Sequence, residues 1–194
     1  MSDEKIQEYL EQQIQSIGAL KESSTVFKEI FNILKNARDE KNQVFVMGNG
    51  GSASTASHFV ADLLKTSITN ESNRFKAMSL SDNIPVLLAW SNDDSYENIF
   101  SNQLENFVQK NDVVIGISGS GNSKNVLNAI QLANKKQAIT IGLSGKGGGK
   151  LSELAKINLI VKSDDMLTIE TIHLLVCHLI TTIIRSEGTP KFTY

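Results

Sequence analysis

Three histidines, two acids and a set of glycine-rich loops carry the chemistry this chain could perform. His58 and Asp62 stand four residues apart, a spacing that puts both side chains on one face of a helix. Further on, Glu170, His173 and His178 interrupt an otherwise apolar run, "IETIHLLVCHLITTII". Buried titratable groups need partners, so this run holds either satisfied core histidines or part of a site. His58, Asp62, Glu170 and His178 together make a nitrogen and oxygen donor set of the kind that suits zinc or a related divalent ion. Spacing imposes a condition. Glu170 and His178, eight residues apart, are separated by about 12 Å along a helix and roughly 80° round it. They converge only if both lean inward or if one comes from another subunit. His173, three residues from Glu170, reaches a common point with it more easily and stays an alternative.

The loops suggest what such a site would act on. "GISGSGNSKN" begins at Gly116 as the end of an apolar strand and then breaks into Ser118, Gly119, Ser120, Gly121, Asn122 and Ser123. "MGNGGSAS" (47–54) and "LSGKGGGK" (143–150) each follow another apolar run. Glycine lets a backbone approach a ligand closely, and the N–H groups of a loop that opens a helix favour an anion. Serine hydroxyls add donors without charge. The first two loops are phosphate cradles or tight turns; the third, with a single serine between Leu143 and Lys150, is a turn. "GNGGSA" formally fits the dinucleotide pattern, but that pattern wants an acid about twenty residues later at the end of the second strand, which here ends near Leu80 and Asp82, over thirty residues on. No Walker-type lysine motif is present either. A small phosphorylated metabolite fits better.

These residues must be held by alternating elements. "QVFVMG" (43–48), "FKAMSL" (75–80), 112–118, 138–144 and 157–162 have the character of buried strands. Helices are expected at 52–65, 95–110, 123–135, 150–155 and 166–186, with a short one opened by Asp82 and Pro85. Such alternation implies an α/β fold, doubly wound about a mostly parallel sheet. A helical pair precedes it: Ile6, Leu10, Ile14 and Ile17 form one face, and Val26, Phe27, Ile30, Phe31 and Leu34 the next. The division expected is one domain over 1–194, with helices in 1–40, the α/β core in 41–187 and a tail in 188–194.

Composition narrows the class. With 194 residues, 40% hydrophobic, 21% charged and two prolines, the chain is expected to fold as a globular protein. A net charge of −2 without a basic block leaves no footprint for nucleic acid. The polar start, "MSDEKIQEYLEQQ", is not a secretory signal, and "IHLLVCHLITTII" is too short to span a bilayer. Cys177, the single cysteine, cannot form an internal disulfide, so a cytoplasmic setting without membrane attachment is expected.

Taken in order, "GNGGSASTASHF", "SNDDSYENIF", "GISGSGNSKNV", "GLSGKGGGKL" and "IHLLVCH" resemble the sugar isomerase (SIS) domain of phosphoheptose isomerases, over about residues 40–183. The resemblance implies conversion of sedoheptulose 7-phosphate to a heptose 7-phosphate by a homotetramer with active sites at subunit boundaries. It places Asn49, Gly50, Gly51 and Ser52 against the sugar phosphate and Asn92 and Asp93 on sugar hydroxyls. Ser118, Ser120 and Ser123 would grip the phosphate, with Gly119 where the family usually has threonine. His58 and His178 fall on metal-ligand positions, for one zinc-class ion per site. Two departures stand out: Asp62 replaces the family's catalytic glutamate, and Glu170 replaces a glutamine in a stretch, "LTIETIH", that also lacks the family's arginine. As an isomerase, the chain would use Asp62 as base and His178 as proton relay, with Glu170 among both the substrate and the metal residues. An isomerase of another ketose phosphate, and a non-catalytic sugar-phosphate sensor or partner-binding protein, are the other readings these motifs admit.

Overall fold

Side chains alternate across a strand, so a strand that is apolar throughout needs a covering layer on each face. The computed structural model, which describes residues 2–69 and 73–192, meets that need. Strands β1 (Gln43–Gly48), β2 (Lys76–Ser79), β3 (Val113–Ser118), β4 (Ile139–Ser144) and β5 (Ile157–Ile160) form one sheet in the order β2-β1-β3-β4-β5. Each neighbouring pair is parallel, so a sheet expected to be mostly parallel is wholly so among the described residues. On one face Val44, Val46, Val113, Ile115 and Ile117 pack with α2 (Ser24–Asp39), α3 (Gly51–Ala61) and α8 (Met166–Arg185). On the other, Phe45, Met47 and Val114 pack with α5 (Ile99–Glu105), α6 (Lys124–Lys135) and α7 (Gly149–Leu154). Gly116 lets α6 close in, since a Cβ there would lie 2.7 Å from Val126 Cγ1.

Helix α2 buries Phe27, Ile30 and Leu34 as its spacing predicts. Helix α1 (Ser2–Ala19) carries the stripe its spacing defines. Ile6, Leu10, Ile14 and Ile17, whose face suits either core cover or an oligomer interface, are exposed in the single chain, Ile14 by 68%. The helix instead turns Gln13 and Ser16 inward, and Gln13 Nε2 donates to Thr168 Oγ1 at 2.7 Å. A buried hydrogen bond to α8 thus sets the helix's rotation and leaves an apolar stripe uncovered in the single chain.

Two expectations are corrected. Asn83, not Asp82, caps α4 (Ile84–Asp93), accepting from Val86 N at 3.3 Å, while Asp82 accepts from the hydroxyls of Ser57 and Ser79. The helix expected over 95–110 is a 3-10 turn (Tyr96–Asn98) followed by α5, which stops at Glu105. Asp112 explains the stop: its carboxylate accepts from Gln109 N and from Gln43 N, both at 2.8 Å, which draws the chain toward β3.

Helix α8, twenty residues long, is long and apolar enough to cross a membrane, contrary to the shorter run expected from sequence. Its composition has another cause here: Ile169, Ile172, Val176, Cys177, Ile180 and Ile184 are buried in the core. His173 lies on the same buried face, and burial pushes its pKa down to about 4. The Ser144 carbonyl opposes this shift in part, without hydrogen-bond geometry. His173 is therefore neutral in the fold at pH values where the unfolded chain takes up a proton. Its contribution is complete above about pH 6.5 and is lost as pH falls toward 4, on the order of 3 kcal/mol in all. Urea midpoints measured between pH 7 and 4 should fall accordingly. A His173→Leu variant should flatten that limb; an unchanged slope would show that other groups cause it.

Candidate active site

Strand order decides where the loops meet. The chain passes from β1 outward to β2 and then returns to β3 on the other side of β1, so the order reverses between β1 and β3. Parallel sheets bind ligands outside the carboxyl ends of their strands at such a reversal. Gly48 pairs in register with Ile117, so the loops that follow leave the same edge side by side. Gly50, at φ 53°, turns the first loop into α3, and Gly121, at φ 65°, turns the second toward α6. Neither α3 nor α6 is capped by its own N-cap side chain, whereas Asn83 caps α4 and Asp165 caps α8. The helix starts at this edge therefore have backbone donors to offer an anion.

Ser118, buried at the end of β3, and Ser123 share a hydrogen bond of 3.0 Å between hydroxyls. Ser120 is half-buried, and its hydroxyl accepts from Asn122 N at 3.2 Å. Gly119, buried, faces the Met166 thioether: a Cβ there would overlap Met166 Sδ, so a side chain at 119 would have to displace it. Met166 thus occupies the space that a threonine at 119 would take. The third loop braces the second. Leu151 N donates to Gly121 O (2.9 Å) and Gly145 N to Gly119 O (3.0 Å), and a Cβ on Gly121 would run into the Gly148 carbonyl.

On the first loop, Ser52 is buried, and a Cβ on Gly51 would overlap the Glu170 carboxylate. Asn49 is held by Tyr96 and Asn125, two residues that the sequence motifs did not single out. A cavity of about 230 Å³ opens beside this loop, lined by Asn49, Gly50, Ser81, Leu88, Ser91 and Tyr96 among others. Asn92 and Asp93 end α4 and are exposed, with Asn92 Nδ2 donating to Asp93 Oδ1 at 2.7 Å.

A second group of side chains lies further along α3. His58 Nε2 and His178 Nε2 are 3.0 Å apart, and both approach Asp62 Oδ2, at 3.8 and 3.7 Å. The three donor atoms fall within 4.8 Å of one another. Asp62 opens a π-helical turn, Asp62–Thr66, that continues α3, a distortion often found at functional sites. The histidines are about half exposed, whereas Asp62 is buried and its Oδ2 has no hydrogen-bond partner. An orphaned buried carboxylate oxygen facing two imidazole nitrogens is a geometry that a cation would satisfy. Glu170, expected in this set, is not brought to it. It lies two turns nearer the start of α8 and against Gly51, which is about 10 Å of helix from His58. His173, the alternative, is sealed in the core.

Fold and site define a class. The SIS domain family model matches residues 8–145, and the chain belongs to that family. Within it the chain is similar to proteins named phosphoheptose isomerase. That of Helicobacter hepaticus is 42% identical over 156 residues, covering 80% of this chain and 79% of its relative. The structure of phosphoheptose isomerase GmhA from Neisseria gonorrhoeae superposes with a TM-score of 0.89 at 26% identity, over 96% of this chain and all of that one. A phosphoheptose isomerase from Francisella tularensis also gives 0.89, at 27% identity, over 96% of this chain and 99% of that one.

The contact between Gly51 and Glu170 is testable through stability. Gly51→Ala should cost about 1–3 kcal/mol by displacing the carboxylate. Adding Glu170→Ala should recover most of that loss in urea denaturation. Additive losses would show that the two residues do not meet.

Proposed function

We propose that this chain is an aldose-ketose isomerase that converts sedoheptulose 7-phosphate to D-glycero-D-manno-heptose 7-phosphate through an enediol. The observation that carries the reading is the cluster of His58, Asp62 and His178 on a chain 42% identical to a phosphoheptose isomerase over four-fifths of its length. A pure sensor needs no such cluster, which favours the enzyme.

In this reading Ser118, Ser120 and Ser123, with the backbone donors at the start of α6, hold the phosphate, while Gly119 keeps the loop close to it. Asn49, Gly50, Gly51 and Ser52 line the sugar, and Glu170, beside Gly51, accepts from a sugar hydroxyl. Asn92 and Asp93 contribute further hydroxyl contacts. Binding the remote phosphate orients the reacting end. Asp62 removes the proton from the carbon beside the ketone, and the electron pair it leaves forms the enediol double bond. His178 relays a proton between the two oxygens, and return of the proton to the neighbouring carbon gives the aldose. Nothing is lost or gained, as an isomerisation requires. His58, Asp62 and His178 would hold a zinc-class ion, which when bound polarises the carbonyl oxygen. With two carboxylate oxygens, Asp62 can face both a cation and the substrate.

The loops and the histidine cluster lie toward opposite ends of α3, and Glu170 stays with the loops. A homotetramer whose sites draw on adjoining copies fits that separation. It would also cover the stripe of Ile6, Leu10, Ile14 and Ile17, which the single chain leaves exposed.

Metal-stripped protein should convert sedoheptulose 7-phosphate on addition of zinc; turnover of a different ketose phosphate would keep the chemistry and change the substrate. Asp62→Ala should abolish turnover with an unchanged urea midpoint, and retained activity would remove Asp62 as the base. Ser120→Ala should mainly raise KM. For assembly, light scattering should give four times the chain mass, and Ile14→Glu should lower it; a monomeric parent would sink the shared-site arrangement.

A further inference from the structure

Asn49, half-buried where β1 gives way to the first loop, has its amide engaged three times. Its Oδ1 accepts from Asn125 Nδ2 at 2.8 Å and from the Tyr96 hydroxyl at 2.9 Å, and its Nδ2 donates to Asn125 Oδ1 at 2.9 Å. Two facing amides paired in this way could both be turned over without losing either bond, so the pair alone does not set its own direction. The hydroxyl of Tyr96 can donate or accept, and does not set it either. The main chain does. Val126 N, in the first turn of α6, donates to Asn125 Oδ1 at 2.9 Å, and a backbone N–H can only donate. With the Asn125 oxygen fixed, Asn49 must present its nitrogen to it and turn its own oxygen toward Asn125 Nδ2 and Tyr96.

The count of hydrogen-bonding groups then becomes informative. An amide oxygen accepts two bonds, and both are made; an amide nitrogen has two hydrogens, and one is used. Asn49 therefore faces the crevice with one N–H and no acceptor. We infer that Asn125 and Tyr96 are positioning residues that lock Asn49 as a single donor, so that this corner of the site recognises an acceptor oxygen of the substrate. Asn125 is 2% exposed and acts through Asn49 rather than on a ligand. It comes from α6, directly behind the phosphate loop, and Tyr96 from the turn before α5. The network thus ties the first loop both to the second and to the connection after α4.

The identity of the acceptor, a sugar oxygen, rests on the isomerase reading; the direction of the amide does not. Two measurements separate them. In ¹H–¹⁵N spectra of the ligand-free protein, one Asn49 side-chain hydrogen should be protected from solvent exchange and the other should exchange freely. Asn125→Ala should abolish that protection; two freely exchanging hydrogens in the parent would overturn the arrangement. The second is a double-mutant cycle with sedoheptulose 7-phosphate. Asn125→Ala and Asn49→Ala should each lower kcat/KM by roughly ten- to a hundredfold, and the double variant should be no worse than Asn49→Ala alone. Tyr96→Phe, on an exposed side chain, should lower it several-fold and run the same cycle if Asn125→Ala does not fold. Losses that multiply, or a fall in stability without a change in kcat/KM, would overturn the positioning role. A parent that shows the protected hydrogen yet leaves sedoheptulose 7-phosphate unchanged would refute the isomerase reading and leave the amide assignment standing.

Discussion

The site depends on the parallel pairing of β1 with β3. Because Gly48 lies opposite Ile117, two loops far apart in sequence leave the sheet at the same height, and the helix starts they open face one crevice. A slip of one residue would turn every side chain of one strand to the opposite layer. That cost is high because both faces are buried: Val44 and Val46 are committed to the layer of α3 and α8, and Phe45 and Met47 to that of α5 and α6. The apolar interior thus enforces the register that brings the polar loops together. Their serines add nothing to the core; they inherit their positions from valine and isoleucine.

The histidine cluster is positioned in a different way. It depends on the packing of α3 against α8, which sets His58 and Asp62 opposite His178. The core contacts of Phe59 and Val60 on one helix, and Val176 and Cys177 on the other, bring their polar neighbours into contact. The residues of the cluster are thus next in sequence to the residues that bear the packing. Replacing the family's glutamate by Asp62 shortens the reach of the acid. Here the carboxylate still arrives within 4 Å of both imidazoles.

Much of this was legible in the sequence. Continuous apolar runs alternating with amphipathic stretches identified the α/β architecture, and glycine and serine clusters after strands marked the loops that meet where the strand order reverses. The i, i+4 spacing of His58 and Asp62 placed both on one helical face, where they are found. What remained hidden depended on tertiary partners. The apolar face of α1 has a clear helical period, but periodicity cannot tell core cover from an oligomer interface, and in the single chain the Gln13–Thr168 bond turns that face outward. Asp82 and Asn83 are both good caps, and the serine hydroxyls within reach of Asp82 left the role to Asn83. The place of Glu170 was bounded by its distance from His178, and only the packing of α8 against Gly51 settled it. Asn125 and Tyr96 carried no spacing signal at all, since their relation to Asn49 exists only across the fold.

The brace behind the 118–123 loop has a consequence for how such a molecule can change over generations. Gly121 and Gly149, both at positive φ, press against the facing loop with no room for a side chain: a Cβ on Gly121 would run into the Gly148 carbonyl, and one on Gly149 into the Ser120 carbonyl. Ser120 and Ser123, neither of them buried, can be exchanged one at a time without disturbing that packing. The glycines behind them cannot, because any new side chain would push one loop off the other and shift every donor together. Innovation is therefore open on the face of the loop turned to the crevice and closed on the face turned to its brace. A lineage exploring new ligands would vary Ser120 and Ser123 while carrying the silent glycines unchanged.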